Sequence, residues 1–205
     1  MKQSKTCLAM LRDKQGNLYF AGDRRISWDF SKAIVAPRPK VSYRDGILYA
    51  GTGVAAICDL VTDQFTAPAR LHSQPTFQYI HKTFIPCLLT WLRSEGWVAE
   101  GERRLNIDGT DSEDYYASIV LGVDSDLYEL DLSSSMISAD AIDAPYATGC
   151  GGPVALGSLL TTEKMKMSIE DKLTLALQVA AQVSPGCDDN VDIVTNKIVS
   201  HPNEK

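Results

Sequence analysis

The feature that most constrains this chain is a recurring pattern of short strand-like runs, each turned back on itself by a few loop-forming residues. Residues 6–12 and 18–23 flank Asp13-Lys14-Gln15-Gly16-Asn17; residues 40–43 and 47–50 flank Arg44-Asp45-Gly46; residues 115–123 and 127–132 flank Asp124-Ser125-Asp126. Connections this short bring consecutive strands together antiparallel. Helical spacing falls between the hairpins. Residues 54–65 carry Ile57, Leu60, Val61 and Phe65, and residues 76–94 carry Phe77, Ile80, Phe84, Leu88 and Trp91 on one stripe, with Pro86 placed to kink it.

Gly151-Gly152-Pro153 opens a third helix running to about Thr161. Ser168, with Asp171 three residues on, caps a fourth running to about Val183. Residues 136–139, 144–149, 191–195 and 198–200 read as further strands. The polar stretch 24–39, the charged stretch 95–114 and the Gly51-Thr52-Gly53 break read as connections. The order is strands, two helices, strands, two helices, strands. It predicts an α+β fold, a four-layer αββα sandwich of two largely antiparallel sheets. A chain of 205 residues with 44% apolar content suffices for one such domain.

Charge and cysteine usage narrow the function classes. The net charge of -6 argues against nucleic acid or an anionic membrane as partner. No stretch reaches the roughly 18 uninterrupted apolar residues of a membrane span. The MKQSK start leads into a strand containing Arg12 and then Asp13, unlike a signal peptide, so a cytoplasmic location is expected. Cys7, Cys58, Cys87, Cys150 and Cys187 are odd in number, widely spaced and without a C-x-x-C pair. A disulfide framework or structural zinc site is therefore not expected.

The chemistry concentrates at the N-terminus. Thr6 and Cys7 open the first strand. If the residues ahead of such a nucleophile are removed, its own α-amine is freed. That amine titrates near about 7.7–8.0 and can serve as the general base. No histidine is needed, and His72, His81 and His201 lie in a loop, a helix and the tail. The site also needs a cation beside the nucleophile, an acid to hold that cation and N–H donors for an oxyanion. Asp23, Lys40 and the Gly51–Gly53 turn are placed to supply them.

These residues resemble a family. AGD at 21–23, Lys40 opening a strand, AGTGVAA at 50–56 and YATGCGGPVAL at 146–156 look like the N-terminal-nucleophile peptidases, of the HslV type and the proteasome β-subunit. The resemblance covers most of the chain, in order and at closely matching spacing. It implies stacked rings of subunits that hydrolyse peptides or unfolded proteins, often delivered by an AAA+ ATPase unfoldase, without metal or organic cofactor. Residues 1–5 would be a short leader and residues 6–205 a single domain.

Carried over residue by residue, the resemblance makes Thr6 the nucleophile, or Cys7 if the extra residue of the chain lies elsewhere. Asp23 and Lys40 are the acid and the lysine, and Gly53 is the oxyanion donor. Cys150, and with it Cys187, stands where supporting serines are common. The family's late acid falls at Ser184, with Gln182 and Asp188 close by, and Lys5 stands where a glycine usually precedes the nucleophile. A proteasome-like ring subunit that keeps its leader, and has a structural, gating or binding role, is the alternative.

Overall fold

The computed structural model describes residues 6–28, 32–102, 117–132 and 137–197. β1 (Cys7–Arg12) and β2 (Leu18–Asp23) form the first hairpin. Asp13 closes its turn by accepting the backbone N–H groups of Gln15 and Asn17, at 2.8 and 2.9 Å. β10 (Tyr146–Gly149) joins β1, and β11 (Val191–Thr195) joins β2. The result is an antiparallel sheet in the order β10-β1-β2-β11. A second antiparallel sheet runs β5 (Val41–Arg44), β6 (Ile47–Gly53), β7 (Ala117–Val123), β8 (Asp126–Asp131) and β9 (Ser138–Ile142).

Each sheet buries both faces, which sorts the side chains by strand alternation. Leu8, Met10, Leu18 and Phe20 of the first sheet meet Val41, Leu48, Ala50 and Val120 of the second. On the outer face of the first sheet, Cys7, Ala9 and Ala21 pack under α4 (Gly152–Thr162) and α5 (Ile169–Val183). On the outer face of the second, Tyr49, Ile119 and Leu121 pack under α1 (Ala55–Asp59), α2 (Thr76–Tyr79) and α3 (Ile85–Ser94). The four layers are those expected. Ser168 caps α5 as anticipated, accepting the Asp171 N–H at 3.0 Å. Among the described residues no helix is long and apolar enough to cross a membrane.

Several local readings are corrected. The stretch 24–39 is not a plain connection: it holds a two-stranded ribbon, β3 (Arg25–Trp28) paired with β4 (Lys32–Val35). Gly51-Thr52-Gly53 does not break the strand. β6 runs through all three and pairs to Gly53↔Ala117, because the backbone there must pass close to a helix. A Cβ on Gly51 would lie 2.7 Å from Cys58 Cβ.

The first two helices are each interrupted by a wider turn, over Leu60–Gln64 and Ile80–Phe84. The second such turn directly precedes Pro86, whose missing N–H is tolerated in the first turn of α3. Phe77, expected on the buried stripe, is 60% exposed, since the wider turn changes the angular spacing between it and Leu88. The expected strand 198–200 and most of the charged stretch 95–114 lie outside the described residues, as does the start of the expected strand 136–139. The strand seen there is Ser138–Ile142.

Candidate active site

Asp23, at the end of β2, is fully buried and accepts five hydrogen bonds. Its Oδ1 takes the Cys7 N–H at 2.9 Å, the Lys40 ammonium at 2.7 Å and the Thr6 hydroxyl at 3.4 Å. Its Oδ2 takes the backbone N–H groups of Arg25 and Asp188, each at 3.2 Å. A buried carboxylate is tolerated only when so completely met.

Lys40 arrives from the opposite sheet, just ahead of β5. Its three N–H groups match three acceptors: Thr6 Oγ1, Asp23 Oδ1 and, at 2.6 Å, the Arg25 carbonyl. Its side chain is only 13% exposed. The Thr6 hydroxyl is therefore held between an ammonium that donates to it and a carboxylate that accepts from it. Such a neighbour stabilises negative charge developing on Oγ1.

The Thr6 carbonyl is fixed from the β10–α4 turn. It accepts the Gly151 N–H at 3.3 Å and the Cys150 thiol at 3.5 Å. Gly149, at φ +86°, lies so close that a Cβ there would come within 2.3 Å of the Thr6 oxygen. Only glycine satisfies both the backbone conformation and that approach. The Cys150 sulfur also lies 3.6 Å from the Cys187 sulfur.

The one S–H of Cys150 is shared between the Thr6 carbonyl and Cys187, and its hydrogen bond to Cys187 holds the Cys150 thiol above the ordinary thiol range, with burial adding to this. The hydrogen bond from Cys150 favours the Cys187 thiolate. A hydrogen bond with Cys7 and burial outweigh it, and Cys187 is pushed up to about 12.

The structure thus brings together Thr6, Asp23, Lys40, Cys150 and Cys187. Cys7 contributes its N–H to Asp23, while its sulfur is fully buried in the core beneath α4 and α5. Gly53 is exposed at the end of β6 with φ +106°. The Gly51 N–H is engaged by the Lys40 carbonyl at 3.2 Å, which ties strand β6 to the backbone of the lysine. Ser184 ends α5, and its carbonyl accepts the Cys187 N–H at 3.0 Å. It positions Cys187 through the backbone.

Two contributors had no sequence signal of their own. The Arg25 carbonyl and the Asp188 N–H act through the backbone, which residue type does not disclose. Arg24 pairs with both carboxylate oxygens of Asp192, at 2.6 and 2.5 Å, and its N–H meets Asp188 Oδ1 at 3.4 Å. That pairing fastens the 188–192 segment against the end of β2. Among the described residues no group of three or more His, Cys, Asp or Glu side chains is arranged to hold a metal ion.

No known family model and no curated protein matches the sequence. Solved structures do match in fold. Thiobacillus denitrificans BPH in complex with epoxomicin is similar at TM-score 0.65 and 16% identity, over 92% of this chain and 97% of that one. Thiobacillus denitrificans BPH is similar at 0.63 and 18%, over 93% and 96%. Eukaryotic HslV from Trypanosoma brucei is similar at 0.61 and 14%, over 93% and 98%. With two antiparallel sheets packed between helical layers along nearly the whole length of each partner, the chain has the fold of the HslV- and proteasome-like N-terminal-nucleophile peptidases.

Proposed function

We propose that this chain is a threonine-type peptidase of a self-compartmentalising ring, active once the Lys5–Thr6 bond is opened. The observation that carries the reading is the Lys40 ammonium, which donates to Thr6 Oγ1 and Asp23 Oδ1 together. In this mechanism Thr6 Oγ1 attacks a peptide carbonyl while the freed Thr6 amine takes the hydroxyl proton. Lys40 stabilises the developing charge and Asp23 holds Lys40 in place. The oxyanion is received at the end of β6. The Gly51 N–H is already committed to Lys40, so Gly53 is the donor proposed. The amine leaving group accepts the proton, an acyl ester remains on Thr6, and water hydrolyses it. Cys150 and Gly151 fix the Thr6 carbonyl throughout.

The partners that go with this reading are further copies of the chain in stacked rings, an AAA+ ATPase unfoldase, and peptides or unfolded proteins as substrate. The fold likeness to HslV supports the choice.

The test is the intact mass of the purified protein together with hydrolysis of unstructured peptides. Loss of residues 1–5 and measurable hydrolysis are expected. Thr6→Ala is expected to remove hydrolysis, and Lys40→Ala to reduce it by roughly 10²–10³-fold, as for other charge-stabilising donors. Epoxomicin, found in complex with the neighbour BPH, serves as a probe: it should bind the processed chain and not Thr6→Ala. A mass showing loss of residues 1–6 would move the nucleophile to Cys7. A full-length mass with no hydrolysis would sink the peptidase reading and leave the ring subunit with a structural or gating role.

A further inference from the structure

Three thiols meet beneath Thr6, more than the proposed hydrolysis uses. A Cβ on Gly151 would lie 2.7 Å from the Cys187 sulfur and 2.9 Å from the Cys7 sulfur, so both crowd the same glycine. The Cys150 sulfur is 3.6 Å from that of Cys187. Cys7 is fully buried, Cys187 is 3% exposed, and Cys150 is half-buried. Of the three, Cys150 is the one a small solute meets first, and Cys187 is the thiol placed directly behind it.

We propose that Cys150 and Cys187 are an oxidisable dithiol, a modification site for low-molecular-weight disulfides such as oxidised glutathione. The Cys150 thiolate attacks one sulfur of the glutathione disulfide. A Cys150–glutathione bond forms, the glutathione S–S bond breaks, and one glutathione thiolate leaves and is protonated. The Cys187 thiolate then attacks Cys150 Sγ, forms the Cys150–Cys187 bond and releases the second glutathione. The protein dithiol loses two electrons and two protons, and one glutathione disulfide becomes two glutathione thiols. The sulfurs must close from 3.6 Å to the ~2.05 Å of a disulfide, a side-chain movement of about 1.5 Å.

Oxidation removes the Cys150 S–H, which is shared between Cys187 and the Thr6 carbonyl at 3.5 Å, and leaves that oxygen the Gly151 N–H. The state of the dithiol is thereby passed to the backbone of residue 6. The modification chemistry itself does not depend on the peptidase reading.

The experiment incubates the reduced full chain with oxidised glutathione over a series of rising alkaline pH values, along which the attacking thiolate fraction grows. It then reads intact mass and maps peptides. The expected product is lighter by two hydrogen atoms, carries no glutathione, shows Cys150 linked to Cys187 and returns to the starting mass with dithiothreitol. Cys187→Ala is expected to stop at a lasting Cys150–glutathione adduct. Should that variant not fold, the map of the unaltered chain decides alone. Unreacted thiols, a stable glutathione adduct on the unaltered chain, or a Cys7–Cys187 link would each overturn the proposal. If the Cys150–Cys187 link forms in a chain that hydrolyses nothing, the dithiol stands and the peptidase reading falls.

Discussion

Asp23 is the residue on which the candidate site turns, because one side chain organises groups from four separate segments: Thr6 and Cys7, Arg25, Lys40 and Asp188. Asp23→Asn keeps the shape but removes the charge. It also presents an NH2 group to donors that were paired with an oxygen. The loss of a buried charge partner puts the expected destabilisation at about 3 kcal/mol, read as a lower urea midpoint at unchanged slope. A midpoint equal to that of the unaltered chain would show that Asp23 is not the organising group.

The thiols yield a second residue-scale prediction. Cys150 and Cys187 both titrate above the ordinary thiol range, so the reactive thiolate is scarce at neutral pH and grows as pH rises. Alkylation of Cys150 by iodoacetamide should be much slower than that of free cysteine near neutrality. It should accelerate about tenfold per pH unit across the alkaline range. A rate that levels off near the ordinary thiol range would contradict the burial and the sulfur–sulfur hydrogen bond.

At the scale of elements, the turn from β10 into α4 is the most constrained piece of chain. Gly149 must take a positive φ beneath the Thr6 carbonyl, and Gly151 must leave room for two sulfurs. Gly149→Ala therefore has no low-energy accommodation. It should push β10 from β1 and cost about 2 kcal/mol or more, measured by chemical denaturation.

The sequence made this turn visible as a motif because glycines and a proline before a helix are a local signal. The hairpins were legible for the same reason: Asp13 to Asn17 and Arg44 to Gly46 carry their turn chemistry in the residues themselves. The β3–β4 ribbon was not. Its runs are four residues each, too short for period-two alternation to stand out beside the prolines that follow. The continuation of β6 through Gly51 and Gly53 was also hidden. Glycine in a strand reads as a break unless one knows that Cys58 lies against it. Thr6, Asp23 and Lys40 stand out in the sequence as candidates because their side chains occur in a recognisable order. The Arg25 carbonyl and the Asp188 N–H were not found, since backbone donors and acceptors look alike at every residue.

For the molecule as a whole, the site spans the seam between the two sheets: Thr6 and Asp23 belong to one, and Lys40 enters the other. Sheet spacing near that seam should therefore control chemistry in a way that stability elsewhere does not. Gly22 is where the two sheets come close beside the site. A Cβ there would lie 3.0 Å from Leu8, 3.2 Å from Val41 and 3.4 Å from the Lys40 Cβ. Gly22→Ala forces β2 and the start of β5 apart by a few tenths of an ångström, which lengthens the contacts from Lys40 to Thr6 and Asp23. Leu88→Ala is the matched control. It empties a fully buried position in the core under α3, on the far face of the second sheet, and should cost about 2–5 kcal/mol. If the chain is processed and hydrolyses peptides as proposed, Gly22→Ala is expected to lower kcat at least about tenfold, because a misplacement well under 1 Å at the reacting groups suffices for that. Leu88→Ala should lower the denaturation midpoint by more and leave kcat per folded molecule unchanged. Equal loss of kcat in the two variants would mean that hydrolysis follows overall stability, and the placement of Lys40 across the seam would no longer explain it.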